Sequence, residues 1–295
     1  MSDTWLILDC NFLCYRTLWG VGKLSYNGIS TGVVFGFLSD MLSLEHRFGA
    51  QHVIFCFDSK QSKRKQLDPT YKSNRHKPNK DITPEEAIAQ ELEQHEFYEQ
   101  VNSLRSVVLP NLGYENNIMM TPGYEADDWI AKSCELVSKN YPEDNKIIVS
   151  GDHDLFQCLD TVTEIYDPNQ RKLHTLGSFY KKYEIVPALW PKVKAIAGCS
   201  SDNIKGVPGV GEKSALLYIK NTLLKSKRYQ AILDNQDIIN RNMILTTLPL
   251  NGLPDYYFNK SQPDNEKWRQ VTKSLGMETL INARPQTRKR VNNGK

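Results

Sequence analysis

Four short apolar runs, Thr4 to Leu8, His52 to Phe57, Asn117 to Met120 and Lys146 to Ser150, suit strands, and helix-patterned stretches separate them. That alternation restricts the chain to βαβ units and a mostly parallel sheet, because parallel neighbours need a long crossover, usually a helix. Ligands of such open sheets gather at the carboxyl ends of the strands. Three of those ends carry an aspartate: Asp9, Asp58, and Asp152 just after Gly151.

The 295 residues are enough for two domains. After Asp160 the sequence predicts a hairpin turning at Asp167-Pro168-Asn169. Beyond Tyr183 strand signals fade and lysine-rich helical stretches take over, so an α/β domain over 1–183 and a helical domain over 184–283 are expected. Residues 284–295 are basic, polar and asparagine-rich, and read as a frayed tail. No internal repeat is apparent.

The six cysteines (Cys10, Cys14, Cys56, Cys134, Cys158, Cys199) form no CxxC pair and have no clustered histidine partner, which argues against zinc and a disulfide framework and for a reducing cytosol. The start, MSDTWLILDCNF, lacks the basic and apolar pattern of a signal peptide, and no run of about 18 apolar residues follows that would span a bilayer. A cytoplasmic protein with no membrane partner is expected. A net charge of +3 does not identify a partner.

Local charge is more telling. Between Ser59 and Lys80, Lys60, Lys63, Arg64, Lys65, Lys72, Arg75, Lys77 and Lys80 stand against one acid, Asp68, a balance better suited to attracting phosphate than to a merely solvated face. Thr83-Pro84-Glu85-Glu86 follows, with the capping threonine, early proline and third-position glutamate of a helix start, and the acidic helix is expected to run to about Arg105.

Asp9, Asp58, Glu125, Asp127, Asp128, Asp152, Asp154 and Asp202 all fall in loops or first helical turns beside apolar elements. Singly, each has a plainer explanation, since acids favour helix N-termini. Together they carry more, because carboxylates ~4 Å apart repel by roughly 4 kcal/mol per pair at an effective dielectric of ~20. Such a cluster needs cations, and hard oxygen donors favour Mg²⁺ or Mn²⁺. Two such ions about 4 Å apart activate a water and stabilise the leaving oxygen of a phosphodiester. Further on, Gly206-Val207-Pro208-Gly209-Val210-Gly211-Glu212-Lys213 precedes a plausible helix. It fits a helix-hairpin-helix turn whose backbone amides approach a duplex phosphate, with Lys213 as a second contact.

These residues resemble the 5′ nuclease family: flap endonucleases, phage 5′-3′ exonucleases and the N-terminal domain of bacterial DNA polymerase I. The resemblance rests on Leu8-Asp9, Phe57-Asp58, Lys63-Arg64-Lys65 with Pro69-x-Tyr71-Lys72-x-Asn74-Arg75, Pro122-Gly123-Tyr124-Glu125-Ala126-Asp127-Asp128, Gly151-Asp152-His153-Asp154, and Ser201-Asp202-Asn203-Ile204 running into the glycine turn. It implies a PIN-like α/β core, a basic arch over 59–106, and a helix-three-turn-helix at about 190–225 with a possible K⁺. By the same resemblance, Asp9, Asp58, Glu125 and Asp127 hold one metal, with Asp128 close behind, and Asp152, Asp154 and Asp202 hold a second. Arg64, Lys72 and Arg75 would meet the DNA, with Lys72, Arg75, Asp58 and Asp127 catalytic. Tyr71 either stacks on a base or packs at the arch base.

The chain departs from the family where Gly198-Cys199-Ser200-Ser201-Asp202-Asn203 stands for the usual Gly-Asp-x-x-Asp-Asn. A thiol suits Mg²⁺ poorly, so a weaker second site or a shift toward Mn²⁺ is expected. The resulting expectation is a free-standing, monomeric, structure-selective 5′ nuclease of bacterial or viral origin. It would act on DNA 5′ ends, flaps and RNA–DNA primer hybrids beside replication proteins. The alternatives are an impaired DNA-binding protein on the same scaffold, or a PIN-type endoribonuclease, which leaves the glycine turn unexplained.

Overall fold

β1 (Thr4–Asp9) is apolar on both alternating faces, as a strand must be when helices cover both sides of its sheet. In the computed structural model, which describes residues 2–18, 24–76, 83–260 and 264–284, it lies in the interior of the sheet. It is followed by α1 (Cys10–Leu18), a small hairpin of β2 (Ser25–Tyr26) and β3 (Ile29–Ser30), α2 (Gly32–Phe48) and β4 (His52–Cys56). Then come α3 (Lys63–Leu67), α4 (Pro84–Ser103), α5 (Leu109–Asn111), β5 (Ile118–Met119), α6 (Ala126–Asn140) and β6 (Asn145–Val149). A 3-10 helix (His153–Cys158) leads to β7 (Thr163–Asp167), β8 (Lys172–His174) and α7 (Leu176–Tyr183).

The sheet order is β5-β4-β1-β6-β7-β8, with the first five strands parallel and β8 antiparallel to β7 across the expected turn. This is the α/β, PIN-like arrangement expected. Registers Leu8↔Phe55 and Leu8↔Val149 bring Asp9 and the loops after β4 and β6 to one edge.

The period of two divides β1 between two cores. Trp5 and Ile7 join Trp129, Ile130 and Val137 of α6, whereas Leu6 and Leu8 join Leu13, Phe37, Leu104 and Trp268. Each fully buried aliphatic side chain of this kind contributes about 1.5–3 kcal/mol. The first core continues past Tyr183 through α8 (Trp190–Ala197) to Ile232, Ile239 and Phe258, so sheet and later helices share apolar packing.

Beyond α8 a two-stranded ladder appears, β9 (Gly198–Cys199) against β10 (Ile204–Lys205), where only helical signals were legible. Its cause is backbone contact: a Cβ on Gly206 would lie 2.3 Å from the Ala197 carbonyl carbon, and one on Gly198 would lie 2.5 Å from the Gly206 nitrogen. The chain continues through α9 (Glu212–Ile219), α10 (Lys227–Asp234), α11 (Gln236–Thr246) and α12 (Asn265–Ser274).

α4 starts as expected, with the Glu86 amide donating to Thr83 Oγ1 (3.2 Å) and the Thr83 amide to Glu86 Oε2 (2.8 Å). It passes its expected end through a wider π turn, Leu104–Val108, into α5. The expectations for Lys77, Lys80 and the tail beyond Arg284 lie outside the described residues. Among the described residues no helix is long and apolar enough to cross a membrane.

Candidate active site

At the carboxyl edge of the sheet lies a cleft of about 510 Å³ lined by Asp9, Asp58, Asp127, Asp152 and Asp154. Asp9 ends β1; one oxygen accepts the Phe12 amide (3.0 Å) and the other the Ser150 hydroxyl (2.9 Å). Asp58 follows β4, its amide donating to Asn11 Oδ1 (3.0 Å) and its carboxylate accepting the amide of Ala126, the first residue of α6 (2.8 Å). Asp127 lies in the first turn of α6, where the helix dipole favours an acid. Asp152 caps the 3-10 helix by accepting the Asp154 amide (2.7 Å).

Among the described residues, three cations line the same cleft: Lys72, Arg75 and Lys194. Two loops interlock to bring the first two there. The Lys72 amide donates to the Asp202 carbonyl (2.8 Å), Asn74 Nδ2 to the Ser200 carbonyl (2.9 Å), and Asn203 Nδ2 to the Thr70 carbonyl (2.8 Å). Lys72 (φ 53°) and Asn203 (φ 55°) both adopt left-handed backbone, local strain that the docking sustains.

Crowding sets the electrostatics. Burial, then the charge of Asp58, raises Asp9 to about 7. Burial and Asp152 raise Asp154 to about 6 despite Lys194. Asp127 is pushed well up by burial, Asp152 and Asp9. Burial also raises Asp202, against the pull of Lys72 and Arg75. Glu125 goes the other way: burial pushes it up, but Lys72 and Arg64 outweigh that and hold it below the usual carboxylate range. Acids so disposed hold protons unless cations stand beside them.

The donor set fits divalent cations. Among the described residues, ligand atoms of Asp154, Cys199 and Asp202 lie within 4.8 Å of one another. Lys194 Nζ is 3.0 Å from Asp154 and Arg75 Nη2 2.7 Å from Asp202, while Lys72 Nζ is 4.0 Å from Asp202. Asp9, Asp58 and Asp127 line the same cleft.

Two expectations need correction, and one open alternative is resolved. Asp128 does not face the cleft: fully buried, it accepts two 2.7 Å bonds from Arg64, the Leu250 amide (2.8 Å) and the Glu125 amide (3.0 Å), leaving no lone pair toward a metal. Arg64, 2% exposed, also donates to the Leu245 carbonyl (3.0 Å) and presents no face to DNA. Of the two roles open to Tyr71, packing is what is found; it is buried and its hydroxyl donates to Glu125 (2.9 Å). Glu125 is drawn toward that hydroxyl and Lys72 Nζ (2.7 Å).

The three turn glycines separate by role. Gly206 closes the chain onto α8, whereas among the described residues a Cβ on Gly209 (φ +74°) or Gly211 would meet nothing within 4 Å. Lys213 is exposed in the first turn of α9. Lys194, Asn11 and Ser150 were not anticipated. Asn11 and Ser150 flank strand-end acids and were open to discovery there, but nothing in the sequence sets Lys194 apart from its exposed helical neighbour Lys192.

A mostly parallel sheet whose carboxyl edge carries this acidic cleft defines the PIN-like class of α/β folds. Residues 4–184 match the family described as 5′-3′ exonuclease, N-terminal resolvase-like domain, and the chain belongs to that family. It is 30% identical over 247 residues to a DNA polymerase I of Mycobacterium tuberculosis, covering 81% of this chain and 25% of that protein. The chain thus spans a quarter of the length of such polymerases. It is 26% identical to a 5′-3′ exonuclease of Aquifex aeolicus, covering 94% of each. The fold is similar to a bacteriophage T5 flap endonuclease solved with DNA and metal ions, with a TM-score of 0.69 and 21% identity over 95% of this chain and 98% of that one.

Proposed function

We propose that this chain is a divalent-metal-dependent, structure-selective 5′ nuclease that hydrolyses phosphodiester bonds near 5′ ends and single-strand/duplex junctions. The observation that carries this is the meeting, in one cleft, of five aspartates from three strand ends and a helix start with Lys72, Arg75 and Lys194. Asp9, Asp58 and Asp127 would hold one ion, and Asp152 and Asp154, with Asp202 and Cys199 beside Asp154, a second. Bound ions supply an activated water and neutralise charge on the leaving oxygen. Lys72 and Arg75 attract and orient the phosphodiester at the cleft mouth.

Beyond the cleft, the open backbone at Gly209 and Gly211, with Lys213, suits a duplex phosphate and a monovalent cation such as K⁺ at the turn. Removal of flaps and RNA primers during replication, by a monomer in the cytoplasm, is the role this reading fits. The test is incubation with a labelled 5′-flap duplex, a blunt duplex and single-stranded RNA, each with Mg²⁺, Mn²⁺ or chelator. Metal-dependent product at the flap junction is expected; cleavage of the RNA alone, or binding without cleavage in either metal, would overturn the proposal.

A further inference from the structure

Cys10, Cys14, Cys56 and Cys134 are buried among the apolar side chains of the two cores. Cys199, itself buried beside Tyr71, Ile204 and Leu245, differs in its polar neighbours: its sulfur is 3.0 Å from Ser201 Oγ and within 4.8 Å of carboxylate oxygens of both Asp154 and Asp202. The backbone makes this arrangement rigid. Cys199 pairs with Ile204 across the ladder, and Asp202 lies in the tight connection between them. The ladder is itself held by the contact of Gly198 with Gly206. Asp154 comes from the 3-10 helix, which Trp190 of α8 secures by donating its indole N–H to the His153 carbonyl (2.8 Å). Two carboxylates and a thiol therefore converge from fixed supports.

We propose, taking from the nuclease reading only that a divalent ion sits here, that Asp154, Cys199 and Asp202 form a mixed oxygen–sulfur site. It selects Zn²⁺ or Co²⁺ over Mg²⁺, and Cys199 ligates as a thiolate. Mg²⁺ demands hard oxygen donors in near-octahedral geometry and keeps its waters, whereas thiolate favours softer ions. Zinc bonds of about 2.3 Å to sulfur and 2.0–2.2 Å to oxygen place three such donors around one ion. On binding, the Cys199 S–H bond breaks, its proton leaves to solvent, and a sulfur–metal bond replaces a water on the ion; no electron is transferred. Lys194 and Arg75, at 3.0 and 2.7 Å from the two aspartates, offset the excess negative charge.

The test is titration of the full chain with Co²⁺, followed by absorption spectroscopy, beside Cys199→Ser and Cys199→Asp variants whose folding is checked by thermal unfolding. A near-ultraviolet thiolate-to-cobalt charge-transfer band is expected in the unsubstituted protein, displaced by equimolar Zn²⁺ but not by excess Mg²⁺, and absent from both variants. Cys199→Asp should bind Mg²⁺ at least about tenfold more tightly by calorimetry. In the unsubstituted chain, Zn²⁺ but not Mg²⁺ should protect the peptide containing Cys199 from alkylation. No band, a band surviving in Cys199→Ser, or equal labelling with and without Zn²⁺ overturns the proposal. Flap cleavage measured in parallel keeps the two readings apart. A band without cleavage in any metal supports the mixed site and removes the nuclease reading; cleavage in Mg²⁺ without a band does the reverse.

Discussion

On one side of the comparison, Asp9 and Asp58 accept hydrogen bonds from neutral donors, the amides of Phe12 and Ala126 and the hydroxyl of Ser150. On the other side, Asp154 and Asp202 are held by cations, Lys194 and Arg75. Neutral donors orient a carboxylate without cancelling its charge, and burial of Asp58 outweighs the downward pull of Lys72 and Arg75 on it. On the proposed reading the first side would take the rest of its counter-charge from bound ions. The second side already has part of its counter-charge, and what distinguishes it is donor chemistry, through Cys199. One side is thus built for dependence on divalent ions and the other for choosing among them.

The strongest way to break this comparison is to remove an acid from each side. Asp58→Ala and Asp127→Ala should lower flap cleavage by on the order of 10²–10³-fold or more while DNA affinity is kept, since on the proposed reading these groups would position ions rather than DNA. Asp154→Ala should cost less, because Lys194 already compensates its charge. Single-turnover cleavage with filter binding reads both. Equal losses on the two sides, or loss of binding matching loss of cleavage, would contradict the division.

Arg64→Ala sharpens it next. Arg64 and Asp128 fasten the first turn of α6 to the carbonyl of Leu245 and the amide of Leu250, and both residues are buried. Removing one partner of a buried pair costs about 3–5 kcal/mol. Urea unfolding should show that loss for Arg64→Ala and under 1 kcal/mol for Arg75→Ala, whose half-exposed bridge to Asp202 is screened by water.

The contrast between Arg64 and Arg75 also shows what the sequence disclosed and what it withheld. Strand-end acids were legible because an apolar run followed by Asp has one geometric meaning in a parallel sheet, and the existence of β1, β4, β5 and β6, though not their order in the sheet, followed from the same runs. Thr83 and Glu86 announced α4 through local hydrogen bonding. Arg64 sits among surface lysines in a cationic stretch, and nothing in its spacing marks it as the one whose partners, Asp128 and the Leu245 carbonyl, lie 64 and 181 residues away. Lys194 and the short β9/β10 ladder were hidden for the same reason: long-range packing and a glycine–glycine contact decide them, not local pattern.

Acidity gives the third test. Asp9 rises from 3.8 to about 7 in the folded protein, so the folded state holds its proton more tightly than the unfolded chain does. Its contribution to stability is complete below about pH 4 and is lost as pH climbs through about 7. Across that window each pH unit costs about 1.4 kcal/mol for this one group. Metal-free protein should therefore melt at lower temperature at pH 7 than at pH 5, and Asp9→Asn should flatten the trend. Mn²⁺ should reverse it, since ionised carboxylates bind the ion that protonated ones refuse. A melting temperature that rises with pH in chelator would count against a buried, uncompensated Asp9.

The smallest effect concerns the cations themselves. An exposed lysine on a duplex phosphate contributes about 0.9 to the slope of log affinity against log salt. Lys213 is exposed on α9 and should contribute that amount, so Lys213→Ala should flatten the slope by about 0.9 on duplex DNA. Lys72 and Arg75 start from a different state, Lys72 bound to Glu125 and Arg75 to Asp202, both at 2.7 Å. To meet a phosphate they must share charge already engaged with carboxylates, and fewer counterions are released per contact. The double variant Lys72→Met with Arg75→Met should therefore flatten the slope by less than about 1.8, the sum for two free cations. If it reached that sum with metal bound, Glu125 and Asp202 would have to give up these cations when divalent ions enter. The two loops would then exchange protein counter-charges for metal ones on binding DNA.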